Sequence, residues 1–253
     1  MHAFINIFGL NIPSYGLCFA SALLLCSFLT IKSAKKRGIC FEDTIIIITI
    51  TVSVAIVGAR LLYIFVTYTP LQMLEYIKNL DFTFLLNGGI VFYGGLIGGM
   101  VGALIACKWL KVSLIDFERS AIPYIPLGHA IGRIGCLLAG CCHGFEYYGP
   151  LAVKSEILAD GKMYFPIQAV ESVMNIIIMI ILLLYRKKTD EKDVSGHGIL
   201  ILYLLLYSIM RFTNEFFRGD SVRGVRILST SQWISVALFV ACIAAMIFRK
   251  KKN

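Results

Sequence analysis

The sequence predicts an all-α protein that crosses a lipid bilayer about seven times, as one integral membrane domain over residues 1–253. It is 58% hydrophobic and 15% charged, whereas soluble domains are about 45–50% apolar and ~25% charged. Several apolar stretches reach the roughly 17–25 residues that a helix needs to span a bilayer. A β-barrel would alternate apolar and polar residues, and a run such as TIIIITITVSVAIVGA does not.

Seven stretches of the chain are candidate membrane spans. Six qualify on length and apolar composition, and they are Tyr15–Ile31, Thr44–Tyr68, Gly88–Trp109, Arg119–Cys141, Ile167–Tyr185 and Trp233–Phe248. The seventh, Gly198–Phe217, is apolar but carries a polar stripe. The residues before the first span include no basic segment and no small-residue cleavage site, so we expect this span to be retained.

The distribution of lysine and arginine predicts the orientation of the chain. Of the 24 basic residues, 14 fall in one set of loops and the C-terminal tail, six fall in the opposite loops, and four lie in or at the ends of spans. Because cytoplasmic loops are enriched in basic residues, the N-terminus is predicted outside and the C-terminus in the cytoplasm. The net charge of +9 then reflects topology and attraction to anionic lipid, and no nucleic-acid partner is expected.

Three of the apolar segments carry polar side chains at helical spacing. The three sets are His129, Arg133 and Cys136; Gln168, Glu171 and Asn175; and Arg211, Glu215 and Arg218. At about 100° per residue, each set lies along one narrow face of its helix. A charged side chain at the centre of a bilayer costs about 2.5–3.5 kcal/mol, so it requires an internal partner or a function. We therefore expect the three faces to enclose one polar cavity.

This cavity would hold more arginine than carboxylate, which predicts an anionic ligand. Inside a membrane, the natural anion is the phosphate of a phospholipid. The alternative is that Arg133–Glu171 and Arg211–Glu215 are ion pairs that only join helices. The glycine-rich segment NGGIVFYGGLIGGMVG, residues 87–102, fits either role. Small residues pack helices closely, and they also let backbone N–H groups approach a phosphate. Packing is the expected role of Gly98, Gly99 and Gly102.

Six short motifs follow one another along nearly the whole chain. They are SYGLCF (14–19), VGARLLY (57–63), NGGIVFYGGLIGG (87–99), GRIG (132–135), PIQAVES (166–172) and MRFTNEFFRGD (210–220). In content and order, these motifs resemble those of the bacterial phosphatidylglycerol–prolipoprotein diacylglyceryl transferase family. Each motif alone is modest evidence, but six in the same order are strong evidence.

The resemblance implies seven spans, an outward N-terminus and a cavity that opens sideways to the outer leaflet of the bacterial plasma (inner) membrane. It implies two substrates, phosphatidylglycerol and the lipobox cysteine of a preprolipoprotein. The diacylglyceryl group moves to that cysteine as a thioether, and glycerol phosphate leaves. Neither a metal nor another cofactor is implied.

The resemblance also implies the site residues. The predicted catalytic residues are Arg133, Arg211, Glu215, Tyr15 and Tyr93, and the predicted substrate-binding residues are Arg60, Gly94, Gly95, Cys136, Cys141, Gln168, Glu171 and Arg218. We expect Arg133 and Arg211 to bind the lipid phosphate, with Glu215 holding Arg211. Fixed cations in a low-dielectric cavity would stabilise the charge of the departing phosphate.

The chain departs from the family pattern at the site itself. The family signature reads roughly GRxGNFxNxExxG, and here its first asparagine is Cys136 and its glutamate is Cys141. The histidine of the family's FHGG motif is Tyr93. A tyrosine, with an ordinary pKa of about 10, is a poorer base than histidine at neutral pH. Cys142 and His143 follow directly after Cys141.

Several interpretations of these departures remain open at the sequence level. The thiols mark a branch that keeps the reaction, or they accept the lipid and pass it to another acceptor. They also suit a redox or metal site, although C-x4-C-C-H is not a usual zinc spacing. A disulfide from Cys136 to Cys141 or Cys142 requires the helix to break at Gly140. Inert packing is a further reading, as is a phospholipid-binding membrane protein without catalysis.

Overall fold

The protein is helical throughout most of its length in the computed structural model. The structure describes residues 4–7, 10–79, 89, 91–155, 160–191, 196–219, 224–225 and 227–252. Within these ranges the helices are α1 (Ser14–Lys35), α2 (Phe41–Thr67), α3 (Pro70–Lys78), α4 (Phe92–Leu110), α5 (Leu114–Ala121), a 3-10 turn (Ile122–Tyr124), α6 (Ile125–Ala139), α7 (Ile167–Glu191), α8 (Gly198–Glu215) and α9 (Thr230–Lys252).

Three short antiparallel hairpins accompany the helices. They pair β1 (Phe4–Ile7) with β2 (Leu10–Pro13), β3 (Val153–Lys154) with β4 (Met163–Tyr164), and β5 (Gly224–Val225) with β6 (Leu228–Ser229). In the first hairpin Phe4 lies opposite Pro13, and β2 leads directly into α1. The hairpins are too short to form a layer of their own, so the fold is all-α.

In the described part of the chain, six helical segments are long and apolar enough to cross a membrane. They are Ser14–Lys35, Phe41–Thr67, Tyr93–Leu110, Leu114–Ala139, Ile167–Asp190 and Thr230–Ile247. The prediction of a polytopic helical membrane protein is therefore confirmed. The seventh predicted span corresponds to α8, whose last turns carry Arg211, Asn214 and Glu215. The count of seven, the orientation of the termini and the single domain stay predictions.

The predicted boundaries of two membrane spans differ from the helix ends in the structure. The span expected at Arg119–Cys141 is helical from Leu114 and ends at Ala139, because Gly140 adopts a left-handed conformation at φ 75°. The predicted placement of Cys141 inside the span was therefore wrong. Gly88, the expected first residue of the third span, lies outside the described residues, and α4 begins at Phe92.

The described helices divide into two compact units. One is Ile31–Phe117, in which α2 packs against α4. Glycines make this packing close: a Cβ at Gly98 would lie 2.5 Å from the carbonyl oxygen of Val54, and one at Gly102 would lie 3.0 Å from the Cβ of Val54. The packing role predicted for Gly98 and Gly102 is thus confirmed.

The other unit comprises Met1–Thr30 and Glu118–Asn253. Here α6 packs against α7, α7 against α8, and α8 against α9. Its buried apolar core consists of Ile122, Ile178, Leu182, Ile199, Tyr203 and Met210. Large apolar side chains such as Leu184 and Val240 remain exposed, as expected for helices that face lipid rather than water. This unit carries all three polar stripes.

Candidate active site

Glu171 on α7 joins the arginines of two neighbouring helices. Its Oε2 atom lies 2.5 Å from Nε of Arg133 on α6, and its Oε1 atom lies 3.5 Å from Nη1 of Arg211 on α8. The Glu171 side chain is only 3% exposed. The structure therefore brings the three predicted stripes together around one buried carboxylate.

Arg211 is held by two further partners. Its Nη2 atom lies 2.8 Å from Oε2 of Glu215, one helical turn further along α8, and donates a hydrogen bond of 3.0 Å to Oγ of Ser231. Both charged side chains are nearly buried. Partners on α7, α8 and α9 thus fix the guanidinium of Arg211 from three sides.

The site retains an excess of positive charge. Arg133, Arg211 and Arg218 carry three positive charges, and Glu171 and Glu215 carry two negative charges. Nη1 of Arg211 is buried and makes no hydrogen bond to the described residues beyond its ion contact with Glu171. Because buried donors in proteins are normally satisfied, this atom is available to an anionic ligand.

Two polar contacts near Glu171 hold its backbone, one between α7 and α6 and one within α7. The hydroxyl of Ser172 donates to the carbonyl oxygen of Ala130 at 3.0 Å. The side-chain amide of Asn175 donates to the carbonyl oxygen of Glu171 at 2.8 Å. These bonds hold the backbone that carries the carboxylate. His129, the first residue of the α6 stripe, instead contacts the hydroxyl of Tyr203 on α8 through Nδ1 at 3.4 Å.

Three cysteine thiols form a cluster where α6 ends. The chain reverses at Gly140, and the N–H of Cys141 donates to the carbonyl oxygen of Cys136 at 3.1 Å. Cys142 then adopts φ 58°, a conformation that is uncommon outside glycine. The sulfur atoms of Cys136, Cys141 and Cys142 all lie within 4.8 Å of one another, and all three are free thiols.

The loop that carries two of these thiols is tied to its surroundings. The amide Nε2 of Gln168 donates to the carbonyl oxygen of Cys141 at 2.6 Å, and the hydroxyl of Ser155 donates to that of Gly140 at 2.9 Å. Gln168 was predicted to bind substrate. In the structure its amide positions the thiol loop, and its Oε1 atom accepts no hydrogen bond from the described residues.

Two glycines allow three chain segments to meet beside the thiols. The N–H of Gly144 donates to the carbonyl oxygen of Phe165 at 2.9 Å, and the N–H of Gly219 donates to that of His143 at 3.2 Å. A Cβ at Gly144 would lie 2.7 Å from the oxygen of Phe165, which leaves no room for a side chain. Gly144 also pairs with Arg218 in an isolated β-bridge, so this arginine is anchored next to the thiol loop.

The charges around the thiols favour ionisation of one of them. The pKa of Cys142 is lowered, first by side-chain hydrogen bonding with the thiols of Cys136 and Cys141. The positive charges of Arg218 and Arg133 act in the same direction, and burial opposes them. The surroundings of Cys142 therefore favour the thiolate form of this cysteine.

Tyr15 on α1 lies against the same part of α6. A Cβ at Gly135 would lie 3.3 Å from Cδ2 of Tyr15 and 2.9 Å from Cβ of Cys18. The Tyr15 side chain is 45% exposed. It lies close enough to Arg133 and the three thiols to interact with them electrostatically. The structure thus places Tyr15 beside the α6 residues, and its catalytic role stays a prediction.

The remaining predicted residues belong to the unit Ile31–Phe117. Nη1 of Arg60 donates to the carbonyl oxygen of Gly89 at 2.8 Å, and its guanidinium lies 5.3 Å from the ring centre of Tyr63. Gly94 packs against Gly58, and Gly95 makes ordinary contact with Ala59. With Tyr93, they form the first turn of α4, and their roles in the reaction stay predictions.

Comparison with known proteins agrees with this geometry. A family model described as prolipoprotein diacylglyceryl transferase matches residues 2–248. The chain belongs to the prolipoprotein diacylglyceryl transferase family. It is 32% identical over 252 residues to phosphatidylglycerol–prolipoprotein diacylglyceryl transferase 2 of Clostridium perfringens, covering 98% of this chain and 95% of that protein. It is 33% identical to the corresponding transferase of Clostridium tetani, covering 96% and 94%.

A third relative extends the comparison within the prolipoprotein diacylglyceryl transferase family. The transferase of Clostridioides difficile is 32% identical over 249 residues, covering 98% of this chain and 95% of that protein. The resemblance inferred from the six motifs is thereby confirmed. The match covers both chains almost completely.

Sequence reasoning missed some residues of this diacylglyceryl transferase site. Ser231 lies in the first turn of α9 within LSTSQW, and its spacing carries no signal. The approach of Gly144 and Gly219 depends on three distant segments, so it was also missed. Gly144 corresponds to the last glycine of the family signature, and this match was the only sequence feature that pointed to Gly144. Ser231, Gly144 and Gly219 are uncharged, and they support the site through hydrogen bonds and close backbone contacts.

Proposed function

We propose that this chain transfers the diacylglyceryl group of phosphatidylglycerol to the lipobox cysteine of a preprolipoprotein. The observation that carries this proposal is the pair of arginines, Arg133 and Arg211, that share the buried carboxylate of Glu171. Membership of the prolipoprotein diacylglyceryl transferase family and the names of the clostridial relatives support the same reaction.

The reaction forms one bond and breaks one bond. The sulfur of the lipobox cysteine attacks the carbon of the diacylated glycerol that is joined to the phosphate. The bond between that carbon and the phosphate oxygen breaks. The bonding electrons leave with the phosphate as glycerol phosphate, and the thiol proton passes to solvent. Negative charge therefore grows on the departing phosphate, where Arg133 and Arg211 stabilise it.

The two glutamates fix the arginines before the substrate arrives. Glu171 orients both guanidinium groups, and Glu215 and Ser231 hold Arg211 from the opposite side. Preorganised donors need no rearrangement when charge develops, which is the main source of electrostatic catalysis. Nη1 of Arg211 contacts Glu171 at 3.5 Å but makes no hydrogen bond among the described residues. This donor and the additional charge of Arg218 suit a phosphate, which offers several oxygens.

The setting of the reaction follows from the basic residues of the loops. We place the cavity on the outer side of the bacterial plasma membrane, where the predicted topology puts the thiol loop and the segment around Arg218. Phosphatidylglycerol would enter from the outer leaflet, and the lipobox segment would enter from the same membrane face. The role of Tyr93 rests on the resemblance alone.

The test is transfer of labelled diacylglycerol to a lipobox peptide by the purified protein in detergent–lipid micelles. Removal of one fixed donor typically costs on the order of 10²–10³ in rate, so Arg211→Ala should lose at least about 10²-fold. Arg186→Ala is the matched control, since Arg186 also bonds between helices, to the carbonyl oxygen of Arg119 and the hydroxyl of Tyr124. It lies on α7, roughly 22 Å along the helix from Glu171 at ~1.5 Å per residue.

The same assay separates a second candidate function. Thiols at positions 136 and 141 and tyrosine at position 93 replace the polar groups of the family signature, which favours a lipid-binding protein without catalysis. That function predicts that phosphatidylglycerol binds, that Arg211→Ala weakens the binding, and that no thioether forms. A folded Arg211→Ala protein that transfers lipid at the original rate would contradict the proposed use of this arginine.

A further inference from the structure

We propose that Cys136, Cys141 and Cys142 form a three-thiolate site for Zn²⁺, with an open position that binds the thiol of the lipobox cysteine. The inference goes beyond the family reaction, for which the sequence implied no metal. Its second half, the binding of the substrate thiol, rests on the proposed function. Its first half, the metal site, stands on the geometry of the cluster alone.

The sulfur atoms are already close to the spacing that zinc requires. Zinc binds thiolates at about 2.3 Å in a tetrahedron, which separates the sulfurs by roughly 3.8 Å. In the structure all three Sγ atoms lie within 4.8 Å of one another. The metal-bound geometry therefore needs only small movements of the three side chains. Soft thiolate ligands also favour zinc over hard cations such as Mg²⁺ or Ca²⁺.

The backbone prearranges the cluster without a disulfide. The turn at Gly140 brings the N–H of Cys141 back to the carbonyl of Cys136, and Cys142 follows at a positive φ with its sulfur within 4.8 Å of the other two. The bonds from Gln168 and Ser155 hold this turn in place. An unfavourable conformation such as that of Cys142 persists only where the surrounding structure enforces it.

The charge of the site suits three thiolates. With Zn²⁺ they carry a net charge of −1. Arg133 lies three residues before Cys136 on α6, and Arg218 pairs with Gly144 beside the thiol loop. The arginines would therefore offset the charge of the metal centre. They would also hold the departing phosphate next to the metal-bound sulfur.

His143 does not complete a four-ligand structural zinc site. Its Nδ1 atom bonds to the carbonyl oxygen of Gly144 at 2.9 Å, and its ring contacts that of Tyr164 at a tilt of 45°, with 4.2 Å between ring centres. Among the described residues, only the three cysteines make up the cluster. Three protein ligands and one open position are the arrangement of catalytic rather than structural zinc sites.

An open coordination position gives the site a chemical role. A thiol that coordinates zinc is deprotonated, so the lipobox cysteine would bind as a thiolate and release its proton to water. Its sulfur then attacks the glycerol carbon, the carbon–oxygen bond breaks, and the thioether product leaves the metal. This step supplies the thiolate in a chain that has Tyr93 in place of the family's histidine. The three departures from the family signature thereby acquire one explanation.

Cd²⁺ is the probe for the site, because its bonds to thiolates absorb in the ultraviolet. Titration of the reduced, purified protein should give one bound Cd²⁺ per chain and a charge-transfer band. Cys136→Ser, Cys141→Ser and Cys142→Ser should each weaken binding at least tenfold, and Zn²⁺ should displace the probe. Cys242→Ser is the matched control, since Cys242 is a buried thiol on α9 outside the cluster, and it should bind Cd²⁺ normally.

A second titration tests the open position without any lipid. A lipobox peptide should intensify the charge-transfer band of the Cd²⁺-loaded protein, and the same peptide with serine for cysteine should not. Arg211→Ala should keep both responses although it loses transfer, so failure of the metal site is distinguishable from failure of the proposed function.

Equal Cd²⁺ binding by wild type and the three cluster variants would overturn the metal site. An unchanged spectrum with the cysteine peptide, or full transfer by metal-free reduced protein, would overturn its role.

Discussion

The Nε atom of Arg133 lies 2.5 Å from the Oε2 atom of Glu171. This contact joins α6 to α7 within the unit that comprises Met1–Thr30 and Glu118–Asn253. Because the other oxygen of Glu171 faces Arg211, a single carboxylate sets the spacing between the two guanidinium groups. The distance between the two arginines that we propose to bind the phosphate therefore depends on Glu171, which need not touch the lipid itself.

We expect Glu171→Gln to destabilise the protein as well as slow transfer. Loss of one partner leaves buried charge uncompensated, and for buried ion pairs this costs about 3 kcal/mol or more. The measurement is the thermal unfolding midpoint in detergent, together with the transfer rate. Glu146→Gln is the control, because Glu146 pairs with Lys162 at an exposed position. If Glu171→Gln unfolds at the wild-type temperature, the carboxylate does not hold the two helices together.

Arg211→Lys should separate charge from geometry. Lysine keeps the positive charge, but a single ammonium group cannot reproduce the fork that meets Glu171, Glu215 and Ser231 together. We expect the transfer rate to fall by about 10²-fold, with a smaller change in the unfolding midpoint than Glu171→Gln causes. Arg186→Lys provides the comparison at an arginine outside the site. Wild-type rates for Arg211→Lys would mean that charge alone is sufficient there.

Two glycines in one turn of α6 provide a matched pair. A Cβ at Gly135 would lie 2.9 Å from Cβ of Cys18 and 3.3 Å from the Tyr15 ring, whereas a Cβ at Gly132 would meet nothing within 4 Å among the described residues. Gly135→Ala should therefore displace α1 and lower both transfer and stability, and Gly132→Ala should keep both near wild type. Transfer rates and unfolding midpoints of the two variants provide the measurement. Equal behaviour of the two variants would show that Tyr15 does not need this close contact.

The charged core of the site was predictable because charge in an apolar helix is so costly. Arg133, Glu171 and Arg211 had to find partners within the bundle, and helical spacing determined which faces they shared. The cost of unpaired charge and the helical spacing together account for most of this pairing. The exact sharing of one carboxylate by two arginines did not follow, because it depends on the packing of three helices.

The thiol cluster was only partly predictable. The sequence showed that Cys136 could approach Cys141 and Cys142 if the helix ended at Gly140, and it does end there. The positive φ of Cys142 and the bonds from Gln168 and Ser155 depend on tertiary contacts that no local pattern encodes. The same holds for the glycine contacts near Arg218, which bring distant segments together. Local patterns thus located the thiols, and tertiary packing determined how closely they gather.

The orientation of the chain is open to a direct labelling test. The excess of basic residues in one set of loops predicts a cytoplasmic C-terminus, and the thiol loop then lies near the outer face. In a variant whose eight native cysteines are replaced by serine, a cysteine at Lys251 should resist a membrane-impermeant thiol reagent in intact cells and react after lysis. A cysteine at Lys154, in β3 of the opposite loop, should react in intact cells. Rapid labelling at position 251 together with protection at position 154 would reverse the topology, and it would place the cavity on the cytoplasmic side.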